Sequence, residues 1–150
     1  MKNTLETKLK EIGNDKICPA AVMIRDGKIL RGMRNYTKEK WKDMSVWTTP
    51  GGRCDNGETL EQTLRREVTE EVGILNFTIV DFIGEVRGAK EGDILPIFYC
   101  TTKEDAKLME PEKFSEWKWF SMDEYIADKS EFNSEAKKLI RSYLLKNNIQ

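Results

Sequence analysis

The chain has 150 residues, 25 of them Lys or Arg and 26 Asp or Glu, for a net charge of −1 with 34% of residues charged. That length suits one domain spanning residues 1–150, large enough to bury about 70% of its unfolded surface around a core. The mixed surface has no basic run to track nucleic acid, and the absence of histidine removes Ser-His-Asp and Cys-His catalysis, His-ligated zinc and a histidine general base together.

Acid or base chemistry must therefore use carboxylates, Lys, Tyr or Cys. Cys18, Cys54 and Cys100 form no Cys-x-x-Cys pair and are odd in number, which argues against a disulfide framework or a zinc ribbon and for free thiols in a reducing cytoplasm. The N-terminus has no apolar leader and no window reaches about eighteen apolar residues, so a cytosolic chain that does not span a membrane is expected.

In chain order, Leu5, Leu9 and Ile12 recur at helical spacing over residues 4–12, predicting a short amphipathic helix that caps the core. Residues 17–25 and 28–34 read as strands, and Asp26-Gly27 between them predicts a two-residue hairpin turn. Residues 35–46, rich in Lys and aromatics and without periodicity, read as a loop able to cover a substrate, before a short strand at Trp47-Thr-Thr. Trp41 in that polar loop is the candidate for stacking on a bound ring, whereas Trp47, Trp117 and Trp119 read as core. Pro50-Gly51-Gly52 predicts a sharp turn. Thr59-Leu-Glu-Gln62 has capping-box form, so a helix is expected over about 58–72, with Leu60, Leu64 and Val68 toward the core and Gly73 as its stop. Strands follow at about 75–87, 94–102 and 116–120, and residues 134–146 predict a final amphipathic helix. The order βββ, helix, βββ, helix predicts a mixed sheet between helices, an α/β or α+β sandwich.

The chemistry is concentrated in residues 52–74, where six acidic side chains and three glycines share one loop-then-helix segment. Glu67, Glu70 and Glu71 recur at i, i+3 and i+4, which places them on one side of a helix within a turn of each other. Three like charges so close repel unless a cation sits among them, and an all-oxygen ligand set selects hard Mg²⁺ or Mn²⁺. The segment predicts a metal site.

Gly52, Glu58, Arg66, Glu67, Val68, Glu70, Glu71, Gly73 and Ile74 also resemble, position for position, the signature of the Nudix hydrolases: glycine, five residues, glutamate, seven residues, then Arg-Glu-apolar-x-Glu-Glu-x-Gly-apolar. Seven of those nine positions demand one residue type; at usages of roughly 5–7% each, chance agreement is on the order of 10⁻¹⁰ per start position. Pro50-Gly51 before the segment and residues 116–124 after it resemble the family as well. The resemblance implies the Nudix fold, a mixed β-sheet between α-helices. It also implies hydrolysis of a phosphoanhydride in a nucleoside diphosphate linked to another moiety. The residues suit that reaction, because a polyphosphate anion resists hydroxide until divalent metals screen it and lower the pKa of an attacking water.

By the resemblance, Arg66, Glu67, Glu70 and Glu71 form the catalytic group. Glu67 and Glu71 are metal ligands, and Glu70 is a third ligand or the residue that takes the proton from water. In some family members the base lies on a downstream loop, for which Glu110, Glu112 and Glu116 are the candidates here. Arg66 is expected to orient a carboxylate through a bidentate pair and Glu58 to fix the loop. A backbone carbonyl of Gly51 or Gly52 is expected to add a metal ligand, and Arg34, ending the second strand, to bind phosphate.

Subfamily marks are missing. Lys90 stands where ADP-ribose pyrophosphatases carry a proline, and Tyr99 is too distant for the tyrosine of dinucleoside polyphosphate hydrolases. The chain resembles the compact MutT-like nucleoside triphosphate pyrophosphohydrolases, which release nucleoside monophosphate and pyrophosphate. ADP-ribose or another nucleotide sugar is the alternative substrate. A non-catalytic nucleotide-sensing module is the alternative of another class, against which the intact carboxylates argue. The expected partner is a small-molecule nucleotide, with no nucleic acid and no membrane. The base recognised and the oligomeric state, a homodimer included, stay open.

Overall fold

β1 (Ala20–Arg25) and β2 (Lys28–Arg34) form the expected hairpin. Asp26 and Gly27 both take positive φ, 49° and 73°, the pair of left-handed residues with which a type I′ turn matches the twist of its flanking strands. The computed structural model of the protein describes residues 2–35, 46–88, 90–128 and 133–149. Its other elements are α1 (Lys2–Lys10), β3 (Trp47–Thr48), α2 (Leu60–Val72), β4 (Thr78–Arg87), β5 (Ile94–Thr101), β6 (Phe114–Ser121), α3 (Met122–Ala127) and α4 (Ser134–Lys146). Trp41 lies outside the described residues. No helix among the described residues is long and apolar enough to cross a membrane.

The six strands form one mixed sheet in the order β3-β2-β1-β5-β4, with β6 antiparallel to β2. β1 runs parallel to β5 from Ala20↔Ile97 to Ile24↔Thr101, and β4 closes antiparallel on β5. β1 and β2 pair at Ile24↔Ile29 and Arg25↔Lys28 and then separate. Residues 47–51 fill the gap: Gly32 and Met33 pair with Thr48 and Trp47, and the Ala21 N–H donates to the Pro50 carbonyl at 2.8 Å. Diverging strands leave a crevice at their ends, and this wedge delivers Gly51 and Gly52 from the sheet to α2.

Helices cover both faces because β1 is apolar on both. Ala21 and Met23 enter one core with Leu60, Leu64, Val68 and Val72 of α2 and Phe98 and Cys100 of β5. Val22 and Ile24 enter the other with Ile97, Phe120, Tyr125 of α3, and Ile140 and Leu144 of α4. A strand buried on both sides reads as a continuous apolar run rather than an alternation. Leu64 is fully buried, so Leu64→Ala would cost about 2–5 kcal/mol.

α2 begins at Leu60 with Thr59 as its cap. The Thr59 hydroxyl accepts from the Gln62 N–H at 3.1 Å, and the Gln62 side chain accepts from the Thr59 N–H at 2.9 Å. It stops at Gly73, whose φ of 68° is left-handed, a conformation glycine enters without a Cβ penalty.

Some boundaries differ from expectation. The strand expected from residue 75 begins at Thr78, because the Leu75 and Asn76 N–H groups both donate to the Glu104 carboxylate at 2.9 Å instead of joining a ladder. The strand expected from residue 17 begins at Ala20, since Pro19 has no N–H to donate and Ile17 makes only an isolated bridge to Ile94. The expected first helix starts earlier, at Lys2. β6 starts at Phe114, drawn out by its ladder with β2. α3 was not expected, although Ser121 and Glu124 form a second capping box, legible as a Ser-x-x-Glu pattern.

Candidate active site

On α2, Glu67 and Glu71 fall one helical turn apart on the side that faces the wedge. Glu71 is 6% exposed, and its Oε1 accepts the Gly51 N–H at 2.8 Å. Burial pushes this carboxyl up to about 8; the Glu67 and Glu110 charges push the same way, against the Gly51 bond and the Arg34 charge. Burial also raises Glu67, opposed by Arg66. Gly52 packs on Glu67 so closely that a Cβ there would run into the carboxylate.

Arg66 is the hub of the segment. Its Nε and Nη2 donate to Glu58 Oε2 and Oε1 at 2.8 and 2.9 Å, a bidentate pair. Nη1 donates to Glu67 Oε1 at 2.9 Å and to the two Glu70 oxygens at 3.2 and 3.3 Å, and Nη2 also reaches the Arg53 carbonyl at 3.2 Å. The Arg66 hydrogen bonds hold the Glu58 carboxyl down to about 2. Glu58 Oε1 further accepts from the Asp55 N–H and the Thr63 hydroxyl, both at 2.8 Å, so this one carboxylate ties residues 53–58 to the helix.

Glu67 and Glu71 line a cleft of about 480 Å³; Glu70 does not, being drawn to Arg66. Among the described residues no three Cys, Asp or Glu side chains converge on one point. The donor chemistry of Glu67 and Glu71 still fits a hard divalent cation, because both are carboxylates displaced upward by burial, and their mutual repulsion is what a cation between them removes. Gly51 and Gly52 border the same cleft, as do Arg34, Asn35, Glu112 and Lys113 from the β2–β6 end. Glu110 Oε1 is buried without a hydrogen-bond partner, while its Oε2 lies 3.2 Å from Lys113 Nζ. Glu116 sits on β6 opposite Met33 and does not line the cleft. Trp47 packs edge-on against Phe120, Trp117 against Phe114, and Trp119 Nε1 donates to Asp105.

Two cleft features had no signal in the sequence. Arg53 Nη1 and Nη2 donate to Asp93 Oδ1 and Oδ2 at 2.8 and 3.0 Å, joining the signature loop to the turn before β5 across 40 residues. Lys113 reaches the cleft from a turn before β6 that Asn35 fastens to the end of β2. Neither contact has a periodicity to announce it.

The family model for the NUDIX domain matches residues 18–143. The chain belongs to the NUDIX family, and it is an enzyme of that family, a pyrophosphohydrolase. An RNA pyrophosphohydrolase from Wolbachia sp. subsp. Brugia malayi (strain TRS) is 31% identical over 124 residues, covering 70% of this chain and 77% of that one. The NAD-capped RNA hydrolase NudC of Mannheimia succiniciproducens is 30% identical over 130 residues, covering 85% of this chain; the chain spans 48% of that relative's length. The crystal structure of a MutT protein from Methanosarcina mazei Go1 superposes with a TM-score of 0.70 at 21% identity, covering 87% of this chain and 94% of that one, and shows the shared fold. Nudix hydrolases generally use divalent metal ions and act on small nucleotide substrates.

Proposed function

We propose that the protein hydrolyses nucleoside triphosphates between the α and β phosphates, releasing nucleoside monophosphate and pyrophosphate, with Mg²⁺ or Mn²⁺ held by Glu67 and Glu71. The observation that carries this reading is the pair of carboxylates, Glu71 buried and Glu67 half-buried, on one side of a cleft whose β2–β6 end supplies Arg34 and Lys113. When bound, a divalent ion screens the polyphosphate and lowers the pKa of a bound water. The side chains do the rest. Arg34 holds a phosphate, Arg66 holds Glu58 and Glu67 in place, and the Gly51 N–H orients Glu71. A water oxygen bonds to phosphorus as the phosphoanhydride P–O bond breaks. Its proton goes to a carboxylate, Glu70 as a third ligand or base, or Glu112 at the far wall or Glu110 behind it. The whole chain acts as one domain, and its three free thiols suit the reducing cytoplasm.

A second reading is an RNA 5′ end as substrate, favoured by the 31%-identical relative named RNA pyrophosphohydrolase. One experiment tests both. The purified protein with Mg²⁺ is offered nucleoside triphosphates, ADP-ribose, nucleotide sugars, dinucleoside polyphosphates and a 5′-triphosphorylated RNA in ¹⁸O-labelled water. Label in nucleoside monophosphate or pyrophosphate supports the first reading. Inorganic phosphate as first product, or a much higher kcat/KM for ADP-ribose, defeats it; preference for the RNA promotes the second.

A further inference from the structure

The turn from Glu110 to Lys113 is fastened to the end of β2 by backbone. The Asn35 N–H donates to the Lys113 carbonyl at 2.8 Å and Asn35 Nδ2 to the Pro111 carbonyl at 3.1 Å. The Lys113 and Phe114 N–H groups close on the Glu110 carbonyl at 2.9 and 3.1 Å. Phe114 then opens β6 opposite Arg34, across a register shift at Met33/Arg34. Neighbouring strands stand about 4.8 Å apart, so Lys113 and Arg34 emerge at the same end of adjacent strands, and both line the cleft that holds Glu67 and Glu71.

Nothing in this arrangement requires the Lys113 ammonium for the turn itself, whose anchors are main-chain groups and Asn35. The ammonium bridges to Glu110 Oε2 at 3.2 Å on a side chain that is 55% exposed. An exposed pair of that kind contributes about 0–1 kcal/mol, so a phosphate oxygen displaces it at little expense. The charges of Glu71 and Glu67 also reach Lys113. A triphosphate of charge about −4 entering a cleft that already carries these carboxylates needs cations beyond a bound metal, and charge-assisted contacts are the strong ones.

We propose that Lys113 is a polyphosphate-binding residue whose ammonium leaves Glu110 and holds a non-bridging oxygen of the substrate's polyphosphate, beside Arg34. This rests on the phosphoanhydride reading above. It names the chemistry the site recognises, a chain of two or more phosphates rather than a lone phosphoryl group.

The test compares wild type, Lys113→Met and Lys113→Arg for binding of inorganic tripolyphosphate in millimolar Mg²⁺ by calorimetry. Turnover of the preferred nucleotide, and melting midpoints with and without Mg²⁺, are measured beside it. Loss of one charge-assisted contact weakens tripolyphosphate binding and kcat/KM at least about 10-fold in Lys113→Met. Lys113→Arg restores most of both, while the midpoint and its response to Mg²⁺ stay at wild-type values. Wild-type tripolyphosphate affinity in Lys113→Met overturns the proposal, as does wild-type protein that binds no tripolyphosphate. A drop in midpoint equal in the Met and Arg variants also overturns it, since that marks a purely structural role. If the wild type cleaves no nucleotide but binds tripolyphosphate through Lys113, the functional reading falls and this one stands.

Discussion

Replacing Glu71 by glutamine raises the melting midpoint of the metal-free protein at alkaline pH and leaves it nearly unchanged at pH 5. Glu71 is 6% exposed, and burial moves its carboxyl from 4.5 up to about 8. The folded protein therefore binds a proton at Glu71 that the unfolded chain has released between those two values, so metal-free stability falls as pH rises through about 4.5 to 8 and is flat beyond. At about 1.36 kcal/mol per pH unit, the difference of roughly 3.5 sets a ceiling of about 5 kcal/mol; relaxation and water penetration reduce it to roughly 2 kcal/mol. Glutamine keeps an oxygen for the Gly51 N–H and never ionises. For a chain of this length, about 2 kcal/mol corresponds to roughly 4–8 °C. Thermal melts of both proteins in EDTA at pH 5 and pH 8.5 read it directly. A gap of equal size at the two pH values, or a lower midpoint for Glu71→Gln at pH 8.5, refutes the reasoning.

Magnesium should reverse the ranking: bound at a hundred times its Kd it stabilises wild type by about 2.7 kcal/mol, and Glu71→Gln should lose most of that response and at least about 10²-fold in kcat, both measured across a metal titration. Gly52→Ala drives a methyl into the Glu67 carboxylate, so kcat should fall at least about 10-fold and stability by about 1–3 kcal/mol, the usual range for overpacking, checked by steady-state rates and urea melts. Arg66→Ala removes the bidentate partner of Glu58 and should cost about 1.5–3 kcal/mol. In wild type the Glu58 contribution is complete above about 4.5 and is lost as pH falls through about 2, so acid titration of the variant should lack that limb. Gly73→Ala imposes a Cβ on a residue at φ 68° and should lower stability by about 1–2 kcal/mol without changing kcat, as chemical denaturation and turnover assays will show.

Features set by near neighbours along the chain were legible without the structure. The i, i+4 spacing of Glu67 and Glu71, the Thr59–Gln62 capping box, the Gly73 stop and the Asp26-Gly27 hairpin turn each act within a few residues, where helix and turn geometry leave little choice. The signature carried the family for the same reason, being one contiguous segment. Tertiary structure decided which side chains share the cleft. Glu70, indistinguishable from its neighbours by spacing, turns to Arg66 because Arg66 already holds Glu58 and Glu67. Of three downstream glutamates only Glu112 lines the cleft and Glu110 acts on Glu71, while Glu116 is committed to a strand face by the β6–β2 register. Lys113 and the Arg53–Asp93 pair reach the site from turns and loops held by contacts across long separations. A strand's pairing register is settled by packing over the whole sheet, and a shift of one residue would turn Glu116 to the opposite face and move the turns that carry Lys113 and Asp93. No local pattern in the chain encodes that choice.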